Sequence, residues 1–161
     1  MFFILFFVSL NAFCQEKIDL NVKNTGSNMT VAILEVDEKM IEKGDTLAVF
    51  YELPSGVKKC GGYVVWNNER VALTIWGNDN TSESKDGFHA KESFLPVYHI
   101  KNGIINNAMN SEFMAGNNFF SHNGISIIKK LYSSIGYNFT KVETKVNQIN
   151  NENFDLLINI K

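Results

Sequence analysis

Apolar and polar residues alternate with a period of two over much of residues 28–100, as expected of strands with one buried face. In Thr46–Glu52, "TLAVFYE", one face carries Leu47, Val49 and Tyr51 and the other Ala48 and Phe50. In Arg70–Gly77, "RVALTIWG", Val71, Leu73 and Ile75 alternate with Ala72, Thr74 and Trp76. "NMTVAILE" (Asn28–Glu35) and "GGYVVWN" (Gly61–Asn67) have the same β-branched and aromatic character. "SFLPVYHI" (Ser93–Ile100) joins them, with Pro96 marking an edge or a bulge.

Turn residues separate these runs. "EKGD" at Glu42–Asp45 and "PSG" at Pro54–Gly56 predict tight turns. "NNE" at Asn67–Glu69 predicts a hairpin pairing Tyr63–Trp66 with Arg70–Trp76. Short strands at regular spacing predict an all-β fold, an antiparallel β-sandwich. "SIIKKLYSSIG" (Ser126–Gly136) fits two elements. One is a short helix with Ile127, Ile128, Leu131 and Ile135 on a stripe; the other, preferred here, is a last strand. Residues 136–161 read as a polar tail with a terminal strand, "FDLLINI", at Phe154–Ile160.

The opening "MFFILFFVSLNAFC" is apolar, uncharged and shorter than the roughly 20 residues of a membrane-spanning helix. It predicts a signal peptide over residues 1–14, cleaved after Cys14, with the β-sandwich domain over 15–135. A lipid-modified Cys14 is the alternative, and Phe13 before it is bulkier than such a site prefers. The chain is therefore expected to be exported, to the cell surface, the periplasm or the medium, with no membrane contact after signal removal. Cys60 is then left without a partner, which predicts a buried thiol acting as a small hydrophobe.

With 161 residues, 45% hydrophobic and 20% charged, the chain is long enough for one domain with a real core. A net charge of -2 and no basic stripe argue against a phosphate-tracking nucleic-acid surface.

Candidate chemistry gathers in the polar tract Gly77–Gly87, which carries Asn78, Asp79, Asn80, Glu83 and Asp86. Calcium takes six to eight oxygen ligands, and Asp79 with Asp86 are its candidates. Their spacing does not match the twelve-residue calcium loop, so the competing reading is a solvated connection whose side chains cap its own backbone. His89, His99, His122 and Cys60 lack zinc-site spacing, and no phosphate loop, dinucleotide fingerprint or nucleophile elbow occurs. Ser93, Asp86 and His99 make an inventory of triad residues without a geometry. Trp66, Trp76, Tyr63, Phe88 and Tyr98 are candidates for an aromatic sugar platform, although strand aromatics more often fill cores. The sequons at Asn28, Asn80 and Asn138 carry no weight in so Asn-rich a chain.

The order of these runs resembles a β-rich module of secreted proteins from Bacteroidetes-type bacteria, often cargo of type IX secretion. The resemblance rests on Asn28, Thr30 and Val31; Gly44, Asp45 and Phe50; Cys60, Gly62 and Trp66; and Ala72, Thr74, Trp76, Gly77 and Asp79. Lys85-Asp86-Gly87, Glu92 and Asn123-Gly124 complete it. The chain departs from the pattern at Asn78, where the module has Asp, and at Lys91, where it has Gly before the Glu. The resemblance implies a non-catalytic domain of adhesins and large surface proteins.

The resulting expectation is an exported accessory module without catalysis or cofactor, calcium being the alternative, that binds a polysaccharide or a surface protein. Its contact residues are Trp76, Asn78, Asp79, Asn80, Asp86 and Phe88, next to the Lys43–Asp45 turn. A structural spacer with no ligand is the second reading, and a hydrolase using Glu92 or His99 the third.

Overall fold

A computed structural model describes residues 17–133 apart from 38, 40 and 80, together with the backbone of 142–150 and 153–160. The expected signal peptide, Asn80, residues 134 and 135, and residues 136–141, 151, 152 and 161 of the tail lie outside the described residues.

The strands are β1 (Asn28–Val36), β2 (Thr46–Glu52), β3 (Lys58–Val65), β4 (Val71–Trp76), β5 (Val97–Lys101), β6 (Ile104–Ala115) and β7 (Ile125–Ser133). They form one mixed sheet in the order β3-β2-β5-β6-β7-β1-β4. Neighbours pair antiparallel except β1 and β7, which run parallel with Thr30 opposite Ile125 and Val36 opposite Leu131. The sheet curls until its outer strands, β3 and β4, meet, so the fold is all-β and nearly a closed barrel.

Glycines permit that meeting. A side chain on Gly62 would overlap the Thr74 carbonyl of β4, and one on Gly61 would overlap the Phe88 ring. The sequence predicted two facing antiparallel sheets, but the seven strands form one curled sheet. Period-two alternation marks a strand's buried face without saying what lies opposite, and the inside of a barrel imposes the same pattern.

Two further expectations change. The predicted hairpin does not form: β3 pairs with β2, β4 pairs with β1, and residues 66–70 cross the seam between them. Trp66 extends the β2–β3 ladder, donating its N–H to Asp45 O at 2.8 Å and accepting Gly44 N–H at 2.9 Å. Residues 126–133 of the segment that also fitted a short helix lie in β7, held by ladders on both edges, and no helix occurs among the described residues. In the tail, β8 (Val142–Asn150) and β9 (Asn153–Ile160) pair antiparallel, where one terminal strand was expected.

The core lies inside the curl. Met29, Val31 and Ile33 of β1 alternate inward, as do Leu47, Val49 and Tyr51 of β2 and Leu73 and Ile75 of β4. Val97, Met109, Ile128 and Leu131 complete the wall, and Phe88, Phe94 and Phe120 fill the interior from the loops. Full burial of each such side chain stabilises by about 1.5–3 kcal/mol. A second cluster sits outside the sheet, where Ile18, Leu20 and Val22 of the N-terminal segment pack on Ala48, Cys60 and Ile100. Ile18 N–H donates to Gly103 O at 2.8 Å, fixing that segment along the outer face.

Candidate functional site

The polar tract Gly77–Gly87 leaves β4 and returns to its own starting point. Asn78 N–H donates to Phe88 O at 2.8 Å, and Phe88 N–H donates to Trp76 O at 3.0 Å. A side chain on Gly87 would overlap the Gly77 backbone and one on Gly77 would overlap the Phe120 ring, so each end of the loop needs glycine for its own close approach. Inside the loop, Asp79 Oδ1 accepts Thr81 N–H at 2.8 Å, Thr81 Oγ1–H at 2.7 Å and Ser82 N–H at 3.1 Å. Asn78 Oδ1 accepts Asp86 N–H at 2.9 Å. The Asp86 carboxylate accepts Asp79 N–H at 3.2 Å and Ser82 Oγ–H at 2.8 Å, and forms an ion pair with Lys23.

Electrostatics follow from these bonds. The Thr81 hydroxyl and amide hold the Asp79 carboxyl below its ordinary value. Burial alone would raise Asp86, but the bonds from Lys23, Ser82 and the Asp79 amide outweigh it and hold that group low as well. These donors do not fit a calcium ion. Lys23 already supplies the positive charge at Asp86, and Asp79 Oδ1 is saturated by three donors. Among the described residues no group of three or more His, Cys, Asp or Glu could hold a metal.

Of the expected contact residues, Asn78, Asp79 and Asp86 stand together in this loop, spent on its internal order. Trp76 is half-buried at the end of β4. Phe88 is only 1% exposed, stacked on Phe120 at 6.2 Å and edge-on to Tyr51 at 5.8 Å, so it is a core residue and not a ligand contact. In the Lys43–Asp45 turn, Asp45 is buried and receives His99 Nε2 at 2.8 Å and Glu42 N–H at 2.9 Å.

The other chemical candidates are dispersed. His99 is buried against Asp45 and Asn107, while Ser93 Oγ serves Asn118 and the Leu95 amide. Glu92 accepts Lys85 Nζ at 2.7 Å and His89 N–H at 2.7 Å, and Lys85 also caps Glu52 O at 2.8 Å. Cys60 lies under the N-terminal segment, where burial pushes its thiol up to about 11.

A cleft not anticipated from the sequence opens where residues 91–94 run beside 118–120. Lys91 N–H donates to Phe120 O at 2.8 Å, Phe120 N–H to Glu92 O at 2.8 Å, and Phe94 N–H to Asn118 O at 3.0 Å. This ladder sends the paired phenylalanines opposite ways: Phe120 is 3% exposed and enters the core, whereas Phe119 is 47% exposed. Phe119 borders a cleft of about 670 Å³ with Lys91, Asn117, Ser121 and His122. Lys91 sits in left-handed backbone at φ 67°, a conformation that favours glycine. It occupies the position where the resembling module has Gly. That substitution and the doubled Phe in a polar loop were the available signals, and alternation could not say which Phe faces out.

No family model, curated protein or solved structure matches this chain. The cleft and the loop therefore stand on their own chemistry.

Proposed function

We propose that this chain is an exported, non-catalytic module of the secreted Bacteroidetes-type kind, which binds or adheres to an extracellular polysaccharide or protein. The observation that carries this reading is the half-exposed Phe119 ring on the rim of a cleft that also offers a lysine, an imidazole and an amide. Cleft volumes of a few hundred Å³, an apolar wall and a few convergent polar groups suit a small ring-shaped ligand unit. The contact surface is thus moved from the acidic loop to the neighbouring cleft. The apolar leader at residues 1–14 supports export.

A structural spacer is the second reading, and the loop 77–87 favours it, because Asp79 and Asp86 are committed to bonds within the loop and to Lys23. A panel of immobilised glycans and surface proteins, probed with the mature chain and its Phe119→Ala variant, separates the two. Capture that is lost in the variant supports the binding module. Capture of nothing, or equal capture by both forms, leaves the spacer.

A further inference from the structure

We infer that the Phe119 cleft selects a pyranose ring bearing a carboxylate, the uronic-acid unit of an acidic polysaccharide. The inference rests on the binding reading above and adds the sign and shape of the ligand. Among the described residues no Asp or Glu lines the cleft. Its polar groups are instead rich in donors.

Lys91 Nζ has no carboxylate partner among the described residues. The nearest carboxylate in sequence, Glu92, is already taken by Lys85 and the His89 amide. His122 meets Ser27 Oγ through Nδ1 at 3.0 Å, and its Nε2 has no hydrogen-bond partner among the described residues. Asn117 Oδ1 accepts Phe119 N–H at 2.9 Å, so the side-chain amide NH2 is the end left for a ligand. Lys91, His122 and Asn117 thus bring an ammonium, an imidazole nitrogen and an amide NH2 group to the cleft that the exposed Phe119 ring also lines.

A pyranose can lay its C–H face on that ring, as apolar and aromatic surfaces pack. Its carboxylate would take a charge-assisted bond from Lys91, the strongest polar contact on offer. A cationic ligand would meet Lys91 and no countercharge. The backbone fits this use, since a lysine held at φ 67° is strained where glycine would be relaxed. Strain of this kind persists where the side chain serves a purpose.

The test is calorimetric titration of the mature chain with methyl glucuronoside, methyl glucoside and sodium acetate, repeated with Lys91→Gly and Phe119→Ala. The glucuronoside is expected to bind roughly tenfold more tightly than the glucoside, as one charge-assisted bond allows. Acetate alone should not compete. Lys91→Gly should abolish the preference without unfolding the protein, because glycine suits that backbone. Equal binding of both glycosides, or a preference that survives Lys91→Gly, overturns the acidic-sugar assignment while leaving the aromatic platform intact. Competition by acetate also overturns it, by showing that the ring is not needed. Failure of all glycosides with the wild type, or binding unchanged in Phe119→Ala, overturns the platform as well.

Discussion

Lys23 and Asp86, 63 residues apart in sequence, meet as an ion pair that ties the N-terminal segment to the loop after β4. Asp86 is 8% exposed, whereas the Lys23 side chain is 56% exposed, so the carboxylate is the structural partner and the lysine its solvated cap. Thr25 strengthens the tie, donating Oγ1–H to Gly77 O at 2.6 Å. Asp86→Ala would leave the Asp79 amide without its acceptor and Lys23 without its partner, while the Ser82 hydroxyl keeps the Ser84 carbonyl at 2.8 Å. It is expected to lower stability by about 1–3 kcal/mol in urea unfolding. Lys23→Met should do markedly less, and equal losses would show that the charge, not the buried acceptor, holds the loop.

Acid should weaken the fold in a defined window. Asp45, Asp79 and Asp86 all have folded-state values below their ordinary range. For Asp45, burial raises the group, but bonds from the Glu42 amide and His99 outweigh it. The unfolded chain therefore binds more protons than the native one as pH falls below about 4, and unfolding takes up protons there. The stabilisation is present above the unfolded value and is lost as pH falls through the folded ones. Melting temperatures should fall below pH about 4 and show a smaller fall in Asp86→Asn. An identical pH profile for the variant would contradict the assignment.

Gly62 is the seam's tightest point. Gly62→Ala drives a methyl group into the Thr74 carbonyl, and backbone cannot yield as a flexible side chain would. A loss of roughly 1–3 kcal/mol, or more, is expected by thermal unfolding. Gly56 is the control: it lies at φ 82° with nothing within 4 Å of an added Cβ, so alanine there meets backbone strain alone.

Lys91→Gly should stabilise the protein. Left-handed backbone costs a non-glycine residue about 1–2 kcal/mol, and glycine returns part of that through its freer unfolded chain. A net gain of about 0.5–1 kcal/mol is expected in urea unfolding. A loss would mean that the lysine side chain makes stabilising contacts of its own.

Cys60 should be silent toward thiol reagents. With its thiol pushed up to about 11 by burial, the thiolate is on the order of one part in a thousand at pH 8. Ellman's reagent should label it only after denaturant is added. Rapid stoichiometric labelling of the native protein would contradict its place beneath the N-terminal segment.

Much of the sheet was legible because β1, β2 and β4 bury alternate residues against one core. Strand β6 was not, because only Met109 among Ile104–Ala115 is buried and the polar Asn106, Asn107, Asn110, Ser111 and Glu112 break the alternation. The pairing of Tyr63–Trp66 was misjudged for a different reason. Adjacency in sequence suggested a hairpin, whereas closure of the curl needs β3 and β4 at opposite ends of the hydrogen-bonded order. In the loop, the competing reading of a self-capping connection was available from Asn and Asp alone. The role of Lys23 was not, since nothing local links residue 23 to residue 86. Phe119 was hidden for a similar reason: its exposure depends on the ladder between 91–94 and 118–120, a contact between two segments without periodic pattern.

Asn78, Asp79 and Asp86 close the tract Gly77–Gly87 on itself, with Lys23 as the outside partner, and leave recognition to the cleft beside it. Residue-resolved amide hydrogen exchange tests this most directly, at Asn78, Asp79 and Asp86. Exchange at all three amides is expected to be at least about tenfold slower than in the unfolded chain, with Asp79 losing that protection in Asp86→Ala. Exchange at unfolded-chain rates in the native protein would contradict it and return these residues to the surface as open ligand groups.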